Sequence, residues 1–165
     1  MKKLLKPDMK VKSIFEIPLD NLYERGFHNL IIDLDNTVTE WNGMDVCDST
    51  AGWFQELRKR GFNACLVSNN LGERVFTIAR RLGIPSINKA AKPRRRAFRQ
   101  ALDILDSGKY NTAVVGDQIF TDVLGGNRMG LFTILVDPIN PKEFVGTRIM
   151  RIFEKLVFKE KSLEE

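Results

Sequence analysis

Cysteine, histidine and long apolar runs are all scarce in this chain, and each shortage narrows what it can be. Cys47 and Cys65 are the only cysteines. They make no CxxC pair and fall short of a secreted disulfide framework, so reduced, small core thiols and a cytoplasmic setting are expected. His28, the one histidine, precedes the first predicted strand and is expected to serve a loop or the surface. No apolar run approaches the ~20 residues that a membrane-spanning helix needs. The basic start MKKLLKPDMK is not followed by the apolar core of a signal peptide. Aromatic residues make up 9% of the chain, and no DNA- or RNA-reading motif is recognisable, so no nucleic-acid partner is expected. Repeats, low-complexity tracts and interdomain linkers are missing as well, which leaves the 165 residues as one domain, 1–165.

What is present suits a soluble globular protein, with 43% hydrophobic and 28% charged residues. The net charge of +5 favours an anionic partner: nucleic acid, an acidic membrane surface or a phosphorylated substrate. Charge alone does not choose among them. Five β-like runs stand out, at 30–34 (LIIDL), 63–67 (NACLV), 85–88 (PSIN), 112–116 (TAVVG) and 132–136 (FTILV), the third weak. Helix-like segments lie between them at 49–61, 72–83, 93–105 and 119–130. Asp48 or Ser49 offers a cap to the first, Gly61, Gly83 and Gly130 offer stops, and Pro93 suits a first helical position. Alternation of this kind predicts an α/β fold: a doubly wound, Rossmann-like parallel sheet of five strands.

In such sheets ligands gather at the carboxyl ends of the strands. Residues 33–37, 68–70, Lys92 and 116–122 all fall there. Asp33 and Asp35 stand two apart, so both face one site unless the backbone curls after Leu34. Carboxylates that close raise each other's pKa unless a cation intervenes, and a hard divalent ion such as Mg²⁺ takes oxygen ligands. One carboxylate can then attack phosphorus while the other moves protons. Ser68, at a strand end beside a helix N-terminus, makes an anion site together with Asn69. Lys92 sets a positive charge against the phosphoryl group. Asp117 stands where a metal ligand is needed, and Asp122 is suited to hold Lys92 or a metal-bound water.

The order D33-L-D35-N-T37, Ser68, Lys92, G116-D117-Q-I-F-T-D122, each behind a predicted strand, resembles the haloacid dehalogenase (HAD) superfamily of aspartyl-phosphate phosphatases. The resemblance implies Asp33 as nucleophile and Asp35 as general acid/base, with the Asp35 backbone carbonyl also on Mg²⁺. It implies Thr37 as loop support, Ser68 on the phosphoryl oxygen, Lys92 against the phospho-aspartate, Asp117 on Mg²⁺ and Asp122 in support. The runs DLDNTVTEWNG, NKAAKPRRRAF and VGDQIFTDVLGGNRMGLFTILVDPI resemble the YqeG-type branch of subclass IIIA, related to the phosphatidylglycerophosphate phosphatases. The activity so implied is Mg²⁺-dependent hydrolysis of phosphatidylglycerophosphate to phosphatidylglycerol and phosphate. A soluble sugar or nucleotide phosphate is the alternative substrate. The spacing after Asp35 leaves room only for a flap at 38–48, hence a minimal cap or none. Trp41 in that flap is open to shielding the site, touching a membrane or packing on the core.

Arg94 and Arg95, with Arg96, are candidate contacts to a second phosphate of the substrate, and charges of this sign are unfavourable at a helix N-terminus. Two segments suggest peripheral contact with an anionic membrane at its inner face: the lysine-rich start and an amphipathic helix near the C-terminus carrying Val145, Ile149, Ile152, Phe153 and Leu156. Docking on the sheet is the other reading of both. A receiver-type signalling domain or a basic nucleic-acid-binding module would account for part of the pattern, without turnover.

Overall fold

The computed structural model describes residues 2–141. The amphipathic segment expected near the C-terminus lies outside them. Six strands form one parallel sheet: β1 (Met9–Val11), β2 (Asn29–Ile32), β3 (Asn63–Val67), β4 (Ser86–Ile87), β5 (Thr112–Gly116) and β6 (Phe132–Val136), in the order β1-β6-β5-β2-β3-β4. Five of these match the predicted runs. The five-strand expectation is corrected by β1, whose three residues among lysines carry no periodic signal of their own. It exists because β6 offers an open edge, where Met9 pairs with Ile134 and Val11 with Val136. Asp8 fastens the junction: its Oδ2 accepts the Thr133 N–H at 2.9 Å, and its own N–H donates to Thr133 O at 3.0 Å.

Strand β2 is buried at every position, as expected of a parallel strand covered on both faces. Alternation divides it between two cores. Leu30 and Ile32 join Trp53, Phe54 and Leu57 of α2 (Asp48–Lys59) and Val75, Ile78 and Leu82 of α3 (Glu73–Leu82). Ile31 joins Cys65, Val67 and Ala97, Phe98 and Ala101 of α4 (Arg95–Ile104) on the opposite face. The short α1 (Leu19–Glu24) adds Leu19 and Leu22 to the first core. After β5 the chain makes a π-helical turn (Ile119–Val123) that runs into α5 (Leu124–Arg128).

Local punctuation departs from expectation at two helix starts. Helix α2 begins at Asp48 behind Cys47, with no side-chain cap, and Cys47 is exposed rather than a core residue. Pro93 is not the first helical residue; it follows a cis peptide bond from Lys92, and α4 starts two residues later. Gly83 does end α3 in the left-handed region, at φ +68°. The N-terminal 3₁₀ turn (Lys2–Leu5) docks on α5, where Asn127 Nδ2 donates to Leu4 O at 2.8 Å and Lys6 O at 3.0 Å.

Candidate active site

Strand β2 is followed in sequence by β3 on one side, while β5 lies on its other side, so the crossover direction reverses at the carboxyl end of β2. A crevice forms at such a switch point. Asp33 enters it because its N–H donates to Val115 O at 2.9 Å, carrying the ladder one residue beyond β2. The chain then curls. Leu34 O accepts the N–H groups of Val38 (2.9 Å) and Thr39 (3.2 Å), and Asn36 adopts φ +58°, a conformation asparagine tolerates better than most residues. The curl parts the two aspartates that an extended strand would have aimed together.

Asp33 faces Lys92, Asp117 and Asp122. Lys92 Nζ lies 2.6 Å from Asp33 Oδ1 and 2.7 Å from Asp122 Oδ1. Carboxylate oxygens of Asp33, Asp117 and Asp122 lie within 4.8 Å of one another, all three residues buried. Thr37 Oγ1 reaches Asp117 Oδ1 at 3.2 Å and Asp33 Oδ2 at 3.4 Å, tying the curl to both. Asp122 is presented by the π-helical turn, and its Oδ2 accepts the Gln118 N–H at 3.2 Å. Its carboxylate passes so close to Gly116 that a Cβ there would sit 2.2 Å from Asp122 Cγ, which is why glycine ends β5.

Burial and crowding set the charges. Loss of solvent pushes the Asp33 carboxyl up to about 6, with Lys92 opposing and Asp122 and Asp35 adding to the rise. Asp117 is pushed up to about 9, first by burial and then by the neighbouring Asp33 and Asp122 charges. Burial alone would depress Lys92, but Asp122 and Asp33 outweigh it and hold the ammonium above its usual range. Asp117 Oδ2 is buried with no hydrogen-bond partner among the described residues.

Ser68 directly follows β3, with its Oγ accepting the Asn70 N–H at 3.1 Å. Asn69 braces the lysine rather than standing free: its Oδ1 accepts the Lys92 N–H at 2.7 Å and its Nδ2 donates to Lys92 O at 3.2 Å. Arg94 and Arg95 are exposed at the start of α4. Arg94, Arg96 and Lys89 line a groove of about 530 Å³ between β4 and α4.

The structure therefore brings Asp33, Thr37, Lys92, Asp117 and Asp122 into mutual contact, with Ser68 at the neighbouring strand end. It keeps the Asp35 carboxylate in a different set of contacts: Oδ1 accepts the Asn42 N–H at 3.2 Å, Oδ2 accepts Asn70 Nδ2 at 3.3 Å, and Arg74 Nη1 lies 2.9 Å from Oδ1. Sequence reading missed Arg74. It is one of many arginines, in the first turn of a helix, and nothing local distinguishes it.

Residues 11–130 match the haloacid dehalogenase-like hydrolase family. A protein of Bacillus subtilis (strain 168) described as "Probable phosphatase YqeG" is 41% identical over 157 residues, covering 95% of this chain and 91% of that protein. The "Phosphatidylglycerophosphate phosphatase 1, chloroplastic/mitochondrial" of Arabidopsis thaliana is 22% identical over 88% of this chain, which spans only 45% of the plant protein's length. A solved structure of an uncharacterized protein from Listeria monocytogenes serotype 4b shares the fold, with a TM-score of 0.59 at 16% identity over 72% of this chain and 85% of that one. The chain belongs to the haloacid dehalogenase-like hydrolase family and is a phosphatase of that family.

Proposed function

We propose that the protein is a Mg²⁺-dependent phosphomonoester hydrolase working through a phospho-aspartate on Asp33, a YqeG-type member of HAD subclass IIIA. The observation that carries this reading is the buried contact of Asp33 with Lys92 at 2.6 Å, beside Asp117. In the first step a carboxylate oxygen of Asp33 bonds to phosphorus, the phosphorus–alcohol bond breaks, and Asp35 gives its proton to the departing oxygen. In the second, water loses a proton to Asp35 and attacks phosphorus, releasing inorganic phosphate and regenerating Asp33. Lys92 opposes the negative charge that builds on the phosphoryl oxygens, and Ser68 binds one of them.

The donor set suits a hard divalent cation. Among the described residues three buried carboxylates face one ammonium, and Asp117 Oδ2, without a partner there, is an oxygen donor in want of a cation. Asp33 and Asp117 would hold Mg²⁺ together with the backbone carbonyl of Asp35, while Asp122 is committed to Lys92 and Gln118. Bound there, the ion would supply Lewis-acid charge stabilisation.

For the substrate we favour phosphatidylglycerophosphate, met at the inner face of an anionic membrane. The plant relative's name supports this, as does the run Arg94, Arg95 and Arg96 two residues after Lys92 in the sequence, suited to a second phosphate of the substrate. A soluble sugar or nucleotide phosphate is the competing substrate. Asp33→Asn should abolish phosphate release while leaving the circular dichroism spectrum near wild type; turnover at the wild-type rate would end the proposal. Product analysis with phosphatidylglycerophosphate in mixed micelles, against a panel of sugar and nucleotide phosphates, tests the substrate, and preference for a soluble compound would remove the lipid.

A further inference from the structure

The guanidinium of Arg74 is mostly buried, with 12% of its side chain exposed, and it reaches two separate parts of the chain. On one side Nη1 lies 2.9 Å from Asp35 Oδ1, an ion pair whose N–H is not aligned as a hydrogen bond. On the other it binds the flap: Nε donates to Gly43 O at 2.7 Å, and Nη2 donates to Thr39 Oγ1 at 3.0 Å and Glu40 O at 3.5 Å. The flap returns to the same carboxylate through the Asn42 N–H on Asp35 Oδ1. Asn70 completes the ring, with Nδ2 on Asp35 Oδ2 and on Asn42 Oδ1, and with its N–H on Ser68 Oγ. Between Glu40 and Cys47 the flap has neither helix nor strand, so these contacts give it its shape.

We propose that Arg74 is a positioning residue: it holds the Asp35 carboxylate and the flap as one unit, and so sets where the proton for the leaving group is delivered. The proposal rests on the role given to Asp35 above. A guanidinium is required because one planar group must reach a carboxylate and three flap oxygens along different directions, which the single ammonium of lysine cannot do. Positioning of this kind affects catalysis steeply, since a proton donor works only within hydrogen-bond reach of the departing oxygen. It also predicts a graded effect. A leaving group that departs easily as an anion needs little proton assistance, whereas a basic one needs much.

The test compares kcat/KM, which reports the steps through departure of the leaving group, for p-nitrophenyl phosphate and the poorer leaving group of phenyl phosphate. Arg74→Ala should lose about tenfold more on phenyl phosphate than on p-nitrophenyl phosphate, part of the 10²–10⁴ that positioned proton transfer contributes. Millimolar guanidinium should restore part of the phenyl phosphate rate, methylammonium should not, and Arg74→Lys should stay impaired. Equal losses on both substrates, with no guanidinium rescue, would mean that Arg74 merely supports the fold and would overturn the proposal; wild-type kinetics in Arg74→Ala would overturn it too. Asp35→Asn is the reference. If it shows the same leaving-group dependence while Arg74→Ala does not, the inference fails and the role of Asp35 stands. If Asp35→Asn keeps the wild-type dependence, both fall together.

Discussion

Without the Lys92 ammonium, Asp33 and Asp122 would be buried carboxylates stripped of the cation each touches at 2.6 and 2.7 Å. Breaking a buried ion pair from one side costs about 3–5 kcal/mol, because the partner charge stays desolvated. Lys92→Met should therefore lower the urea midpoint by a matching amount in chelator, as well as abolish turnover; an unchanged midpoint would mean the carboxylates are protonated or solvated there. The two thiols separate just as clearly. Cys47 is exposed, and hydrogen bonds from Ser49 and Thr50 bring it down to about 7, whereas burial pushes Cys65 up to about 12. Iodoacetamide near neutral pH should alkylate Cys47 alone in the folded protein, read by mass spectrometry, and Cys65 only after unfolding. At this scale the sequence disclosed residues whose position follows from their rank behind a strand: Asp33, Lys92 and Asp117, which meet in one cluster, and Ser68 at the neighbouring strand end. The setting of Asp35 depends on a backbone curl at Asn36, and that of Arg74 on a flap 31 positions away, so neither has a local signature.

Helix α5, into which the turn presenting Asp122 runs, is packed tightly enough to make its glycines structural. A Cβ at Gly125 would meet Phe98 of α4 at 2.4 Å, and one at Gly126 would meet Thr133 of β6 at 2.6 Å. Overpacking of this kind costs about 1–3 kcal/mol. Gly125→Ala should lower stability by that amount in urea unfolding and weaken turnover by shifting the π-helical turn, whereas Gly108→Ala, with open space around the new methyl, should stay within about 0.5 kcal/mol. Strands of full length were legible because an all-buried run such as TAVVG leaves few alternatives. Strand β1 was not, because three residues acquire strand geometry only from the edge of β6. The start of α4 was misread for a related reason: Pro93 is compatible with a first helical position, but Ala91, at φ +54°, turns the chain so that Lys92 enters the crevice and the helix begins later.

Across the whole molecule, two apolar cores surround a sheet whose carboxyl edge gathers buried charge that does not balance. Asp35 is matched by Arg74, but among the described residues Asp33, Asp117 and Asp122 face only Lys92. Relative to the ordinary carboxylate value of 3.8, Asp33 is raised to about 6 and Asp117 to about 9 in the folded protein. Between those values the folded chain holds more protons than the unfolded one, so without a divalent cation stability falls as pH rises from about 4 to about 9. A cation that binds only the folded form adds RT ln(1 + [L]/Kd), about 2.7 kcal/mol at a hundredfold excess over Kd. Protons compete with it for the same oxygens, so its benefit must grow with pH. Melting curves of the full chain in chelator should drop in midpoint from pH 5 to pH 8, while the gain from added Mg²⁺ should be small at pH 5 and larger at pH 8. A gain that is flat or shrinks with pH would mean that the cation binds elsewhere, and that the imbalance at this edge is relieved by protons alone.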